Sequence, residues 1–142
     1  MSEGNLWDRI RPKLLKYGDL VRIESHMTAA GIPDVNYCFL GCEGWVELKF
    51  AKQPARAATV VFKSQRGLDT EQVSWLLNRR RCGGRAFVLI QLGKWLLLID
   101  GKYAAKINVS TTDQLIAMST WKRSGAVREK DYDELAERLR FS

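Results

Sequence analysis

The chain has 142 residues, 46% hydrophobic and 27% charged, the proportions of a globular protein long enough for one real core. No apolar run reaches the roughly 20 residues that span a bilayer, and "MSEGNLWDRIRPK" reads as no signal peptide, so a cytoplasmic protein without a membrane partner is expected. Lys and Arg outnumber Asp and Glu by 23 to 16, a formal charge of +7, which suits a polyanionic partner as readily as plain solubility.

Residues 5 to 17, "NLWDRIRPKLLKY", place Leu6, Ile10, Leu14 and Tyr17 on one helical stripe. Asn5 is the expected N-cap, Pro12 should kink or shorten the helix, and Gly18 should stop it. "LVRIE" (20 to 24) alternates like a strand, and "SHMTAAG" (25 to 31) reads as a loop closed by Gly-Ile-Pro. "DVNYCFL" and "GWVELKF" form an expected hairpin joined through "GCEG". Residues 51 to 69 are basic and irregular, with at most a short strand at 59 to 63, and read as a mobile arm or a nucleic-acid-facing loop. "DTEQVSWLLNRRRCGG" is a signed helix: Asp69 and Gln72 have capping-box spacing, Val73, Leu76 and Leu77 face inward, and Gly83-Gly84 ends it. "RAFVLIQL" and "KWLLLID" follow as interior strands, and residues 112 to 119 and 130 to 140 as helices, the last with acids early and arginines late.

Cys38, Cys42 and Cys82 are odd in number and fit no disulfide framework. A zinc site with His26 is conceivable, but the spacing matches no zinc motif, and buried free thiols are the simpler reading. The strand "GWVELKF" is more informative. Alternation puts Trp45, Glu47 and Lys49 on one face and Val46, Leu48 and Phe50 on the other. Asp34 follows Pro33 at the mouth of the partner strand, where a hairpin can bring it beside Glu47. Two converging carboxylates suit Mg²⁺, a hard cation with oxygen ligands, and a lysine beside them can orient water or steady a phosphate. Taken singly, Glu-x-Lys is a common solvated pattern and Pro-Asp a routine turn.

Gly31-Ile32-Pro33-Asp34, Glu47-Leu48-Lys49, Gln72 and "GGRAFVLI" (83 to 90) together resemble the PD-(D/E)xK nuclease superfamily, and within it phage VRR-type nuclease domains and archaeal-type Holliday-junction resolvases. The resemblance spans residues 5 to 100. It implies an α/β, restriction-endonuclease-like fold, a central mixed sheet flanked by helices in a single domain, with residues 110 to 142 as a helical extension. It also implies that Asp34, Glu47 and the Leu48 carbonyl bind Mg²⁺, or Mn²⁺ in its place, that Lys49 is catalytic, and that Gln72 supports the site. The upstream acid of such folds is assigned first to Glu24, with Glu3 and Asp8 behind it. Ser25 and His26 fall on a loop expected to touch the cut strand. Arg22, Lys52, Arg56, Lys63, Arg66, Arg79, Arg80, Arg81 and Arg85 are the expected phosphate contacts, although a run such as "NRRR" also complements its helix dipole. The implied protein is a homodimeric DNA endonuclease for branched DNA, with no small-molecule cofactor. A nicking, flap or restriction-like nuclease and a non-catalytic DNA-binding module are the alternatives.

Overall fold

The computed structural model describes residues 2 to 23 and 30 to 141. The chain runs α1 (Glu3–Leu14), β1 (Gly18–Arg22), β2 (Val35–Phe39), β3 (Cys42–Ala51), α2 (Thr70–Arg81), β4 (Ala86–Leu92), β5 (Trp95–Asp100), α3 (Ala104–Ile107), α4 (Thr112–Met118), β6 (Trp121–Ser124) and α5 (Glu129–Phe141). The strands form one six-stranded sheet in chain order. Every neighbouring pair is antiparallel except β3 and β4, which are parallel because α2 lies between them in the chain and returns it to the same end of the sheet. This is the single α/β domain with a mixed, helix-flanked sheet that the sequence leads one to expect.

Two apolar layers fill the space between sheet and helices. In one, Leu48, Leu89, Leu98 and Trp121 lie side by side on four successive strands beneath Leu6, Ile10 and Leu14 of α1 and Leu135 and Leu139 of α5. Each leucine buried there contributes about 1.5–3 kcal/mol. In the other, Val88, Ile90, Leu97 and Ile99 pack against Leu76 of α2 and Ile107 and Leu115 of α3 and α4. Glu47 pairs in register with Val88, and Lys49 with Ile90, so these two ionisable side chains of β3 stand among apolar neighbours on this second face.

Several boundaries moved for identifiable reasons. Helix α1 starts at Glu3 with Ser2, not Asn5, as its cap: the Asn5 N–H donates to Ser2 Oγ at 3.2 Å. It runs through Pro12 to Leu14 before a single 3₁₀ turn. The hairpin turns at Leu40-Gly41, both with positive φ, as a tight two-residue hairpin requires, so Cys42, Glu43 and Gly44 belong to β3 and not to the turn. The basic segment after β3 is no free arm. Val61, Phe62 and Leu68 are buried, and Val60 bridges Thr111. The segment expected to be a helical extension also supplies β6 to the sheet edge, paired with β5 from Trp95–Ser124 to Leu98–Trp121. Among the described residues, no helix is long and apolar enough to cross a membrane.

Candidate active site

The acidic end of the hairpin is assembled by backbone. The Ile23 N–H donates to the Asp34 carbonyl at 2.6 Å, which ties the end of β1 to the start of β2. Gly31, with φ +87°, passes so close to α2 that a Cβ there would lie 2.4 Å from the Glu71 carbonyl oxygen; only glycine fits. The loop carrying Pro33 and Asp34 is thereby pressed against the N-terminus of α2. The Asp34 N–H donates to Glu47 Oε1 at 3.2 Å, and the Leu48 N–H donates to Asp34 Oδ2 at 2.9 Å.

Gln72 enters from the helix. The Gln72 N–H donates to Asp69 Oδ1 and the Asp69 N–H donates back to Gln72 Oε1, a complete capping box. With its oxygen committed to the cap, the Gln72 amide must present nitrogen to the sheet, and Nε2 donates to Glu47 Oε2 at 2.7 Å. Gln72 therefore caps α2 and lines the cleft at once. Lys49 Nζ stands 3.7 Å from Glu47 Oε2 and 3.6 Å from Glu3 Oε1.

Glu47 and Lys49 are only 2% and 5% exposed, although both are ionisable. Burial, and after it the negative charge of Asp34, push the Glu47 carboxyl up to about 8 from an ordinary 4.5, against the opposing pull of Lys49. Two carboxyl groups held together in the cleft wall, Glu47 buried and Asp34 half-buried, with Lys49 opposing them only in part, form a site short of positive charge. All available donors are oxygens, the ligand type of Mg²⁺. No three His, Cys, Asp or Glu side chains among the described residues form a ready ligand cluster, and Mg²⁺ commonly uses one or two carboxylates and keeps several waters.

These groups line an open cleft of about 450 Å³ together with Ser2, Phe50, Gln65 and Arg66. The structure thus brings Asp34, Glu47, Lys49, Gln72 and Arg66 into one place, and adds Glu3, which the sequence ranks behind Glu24. Its signal was the Ser-Glu pair that starts α1. Asp8 is exposed and does not line the cleft. Glu24, Ser25 and His26 lie outside the described residues.

The remaining basic residues divide by their contacts. Arg22 is exposed at the end of β1 and pairs in register with Val35, next to Asp34. Lys52, Arg56 and Lys63 are exposed on the segment after β3. Arg81 is exposed beside Asn78, and Arg79 stacks over Trp75 at 4.4 Å, which leaves Trp75 half-buried between helix and sheet. Arg80 is engaged by the fold, donating to both carboxylate oxygens of Asp100 and to the Gly84 carbonyl. Arg85 likewise donates to the carbonyls of Leu139 and Arg138 at the end of α5. Both guanidiniums are thus engaged by the fold. The three cysteines are free; Cys38 and Cys82 are exposed and Cys42 is half-buried, so they are not the buried thiols the sequence suggested.

No family model matches the chain, and no curated protein matches it. Among solved structures it is similar to Archaeoglobus fulgidus Hjc, a Holliday junction resolvase from an archaeal hyperthermophile. The similarity has 19% identity and a TM-score of 0.45, over 70% of this chain and 73% of that one. A likeness of that size carries no functional weight, and the chemistry of the cleft has to come from its own residues.

Proposed function

We propose that the cleft hydrolyses phosphodiester bonds in DNA with the help of a divalent cation, and that branched DNA such as a four-way junction is its substrate. One observation carries the hydrolytic reading: a buried carboxylate, Glu47, held against Asp34 and flanked by Lys49 and Gln72 in an open cleft. Asp34 and Glu47 would hold the cation, with the Leu48 carbonyl as a further donor. When bound, Mg²⁺ supplies an acidified water and offsets charge on the phosphate.

The chain's own groups do the rest. Gln72 fixes the Glu47 carboxylate through Oε2, and the Leu48 N–H fixes Asp34 through Oδ2, so both ligands are pre-oriented on rigid backbone. Lys49, held by Glu3 and Glu47, donates hydrogen bonds to the incoming water or to a phosphoryl oxygen. One P–O bond forms to water and one breaks to a deoxyribose oxygen; the proton lost by water and the proton gained by the leaving oxygen both exchange with solvent at the cleft mouth. Exposed Arg22, Lys52, Arg56, Lys63, Arg79 and Arg81 supply phosphate contacts on either side. Arg81 stands roughly 13 Å along the α2 axis from Gln72, room for several phosphates of a duplex arm. Branched DNA and a two-fold dimer with two clefts follow the superfamily resemblance, since symmetric cutting of a junction needs two sites.

Cleavage of a four-way junction, a flap, a nicked duplex and a plain duplex, compared in Mg²⁺, tests the substrate. Preferential symmetric cutting of the junction supports the resolvase reading, whereas equal cutting of all four leaves a nuclease without junction preference. Glu3→Ala is expected to slow cleavage by about 10- to 100-fold, because Lys49 loses one of its two anchors. Unchanged turnover would return the upstream acid to Glu24. Neutralising Arg56 and Lys63 together should lower affinity and flatten the slope of log affinity against log salt by about 1.8. An unchanged slope would remove both from the DNA contact surface.

A further inference from the structure

Arg66 is placed with more care than a general phosphate contact needs. The segment that carries it is clamped on both sides by side-chain amides that imitate strand pairing. On one side, the Lys52 N–H donates to Gln65 Oε1 at 2.8 Å, and Gln65 Nε2 donates to the Lys52 carbonyl at 2.8 Å and the Val61 carbonyl at 3.1 Å. On the other, the Leu68 N–H donates to Asn108 Oδ1 at 2.9 Å, and Asn108 Nδ2 donates back to the Leu68 carbonyl at 2.6 Å. Between the clamps, Gly67 lets Asn108 approach: a Cβ there would fall 2.2 Å from Asn108 Oδ1. Buried Val61, Phe62 and Leu68 seat the same segment in the second core layer.

These contacts fix the backbone on either side of Arg66 and leave its side chain exposed at the cleft. The described cleft residues include three carboxylates, Glu3, Asp34 and Glu47, and two cations, Lys49 and Arg66. Lys49 is already paired with Glu3 and Glu47. Arg66 has no ion pair or side-chain hydrogen bond among the described residues, and it is the one guanidinium lining the cleft. A planar fork with several donors matches two oxygens of one phosphate, and pre-placement on clamped backbone lowers the cost of ordering it.

We propose that Arg66 binds the non-bridging oxygens of the scissile phosphate and that its contact strengthens as charge builds during hydrolysis, with Gln65 and Asn108 as the residues that position it. This rests on the phosphodiester reading of the cleft. It separates Arg66 from Arg56 and Lys63, which contact DNA electrostatically and contribute to affinity.

The test measures kcat and KM for cleavage in Mg²⁺, and DNA affinity in EDTA over a range of salt, for the wild type and for Arg66→Ala, Arg66→Lys, Lys63→Ala and Asn108→Ala. Arg66→Ala should lower kcat about 100-fold, as loss of one transition-state donor does, while KM and affinity change far less. Arg66→Lys should recover only a small part of that rate, since an ammonium cannot make the paired contact. Asn108→Ala should lower kcat in the same direction and add little on top of Arg66→Ala. Arg66 is exposed, so its variants fold whatever happens to Asn108→Ala. If Arg66→Ala weakens binding and leaves kcat unchanged, Arg66 is an ordinary DNA contact and the proposal is wrong. If the wild type cuts no phosphodiester at all, the reading of the cleft fails first and this role fails with it.

Discussion

Asp34→Asn is expected to lower cleavage by at least about 10³-fold and to leave DNA binding intact or tighter, because several kcal/mol of the proposed cation-assisted stabilisation of the transition state would disappear while the proposed phosphate contacts would remain. Asparagine keeps the shape and can still accept the Leu48 N–H that now bonds Asp34 Oδ2, so the hairpin is not expected to unfold. It removes a negative charge from the pair that repels itself in the cleft wall, which eases approach of a polyanion when no cation is present. Gel-shift affinity in EDTA and single-turnover cleavage in Mg²⁺ separate the two effects. Cleavage by Asp34→Asn at the wild-type rate would move the catalytic centre elsewhere.

The second large effect is on stability. The Glu47 carboxyl is raised to about 8 in the folded protein, mainly by burial and then by Asp34, above its ordinary 4.5. A raised folded value means the native state holds the proton more tightly than the unfolded chain. The resulting stabilisation is therefore complete below the ordinary value and is lost as pH climbs through the raised one. The cation-free protein should lose melting temperature steadily between about pH 5 and about pH 8. Glu47→Gln should flatten that decline, although it sets an amide nitrogen against either the Asp34 N–H or Gln72 Nε2 and so starts from a lower plateau. Mg²⁺ or Mn²⁺ should raise the melting temperature more at the alkaline end, where ligand and proton no longer compete. Melting curves in EDTA across this range check it. Parallel pH profiles for the wild type and Glu47→Gln would show that Glu47 does not carry the dependence.

The parts of the fold written in local pattern were readable in advance. Strand alternation put Glu47 and Lys49 on one face, and the Asp69–Gln72 spacing announced the cap of α2. What local pattern cannot show is which distant group finishes a contact. Gln72 reaches Glu47 across 25 positions, and Arg80 is claimed by Asp100 twenty residues on. Gln65 and Asn108 turn an irregular basic stretch into a fixed wall by bonding backbone, a role that composition cannot reveal. Strand β6 is four residues long and owes its existence to the edge of β5. The hairpin turn escaped because Leu40 takes a positive φ that leucine rarely adopts, allowing the strands to meet two residues sooner than the glycines suggest. Glu3 came into the site because Ser2 caps α1 three residues before the expected Asn5.

Cleavage of an end-labelled four-way junction by the wild-type protein, with Asp34→Asn alongside, in Mg²⁺ and in EDTA, is the decisive experiment for a cation-dependent centre at Asp34 and Glu47. The wild type is expected to cut in Mg²⁺ alone, with neither EDTA nor Asp34→Asn giving product. Cutting that persists in EDTA, or that Asp34→Asn performs equally well, would contradict a cation-dependent centre at Asp34 and Glu47.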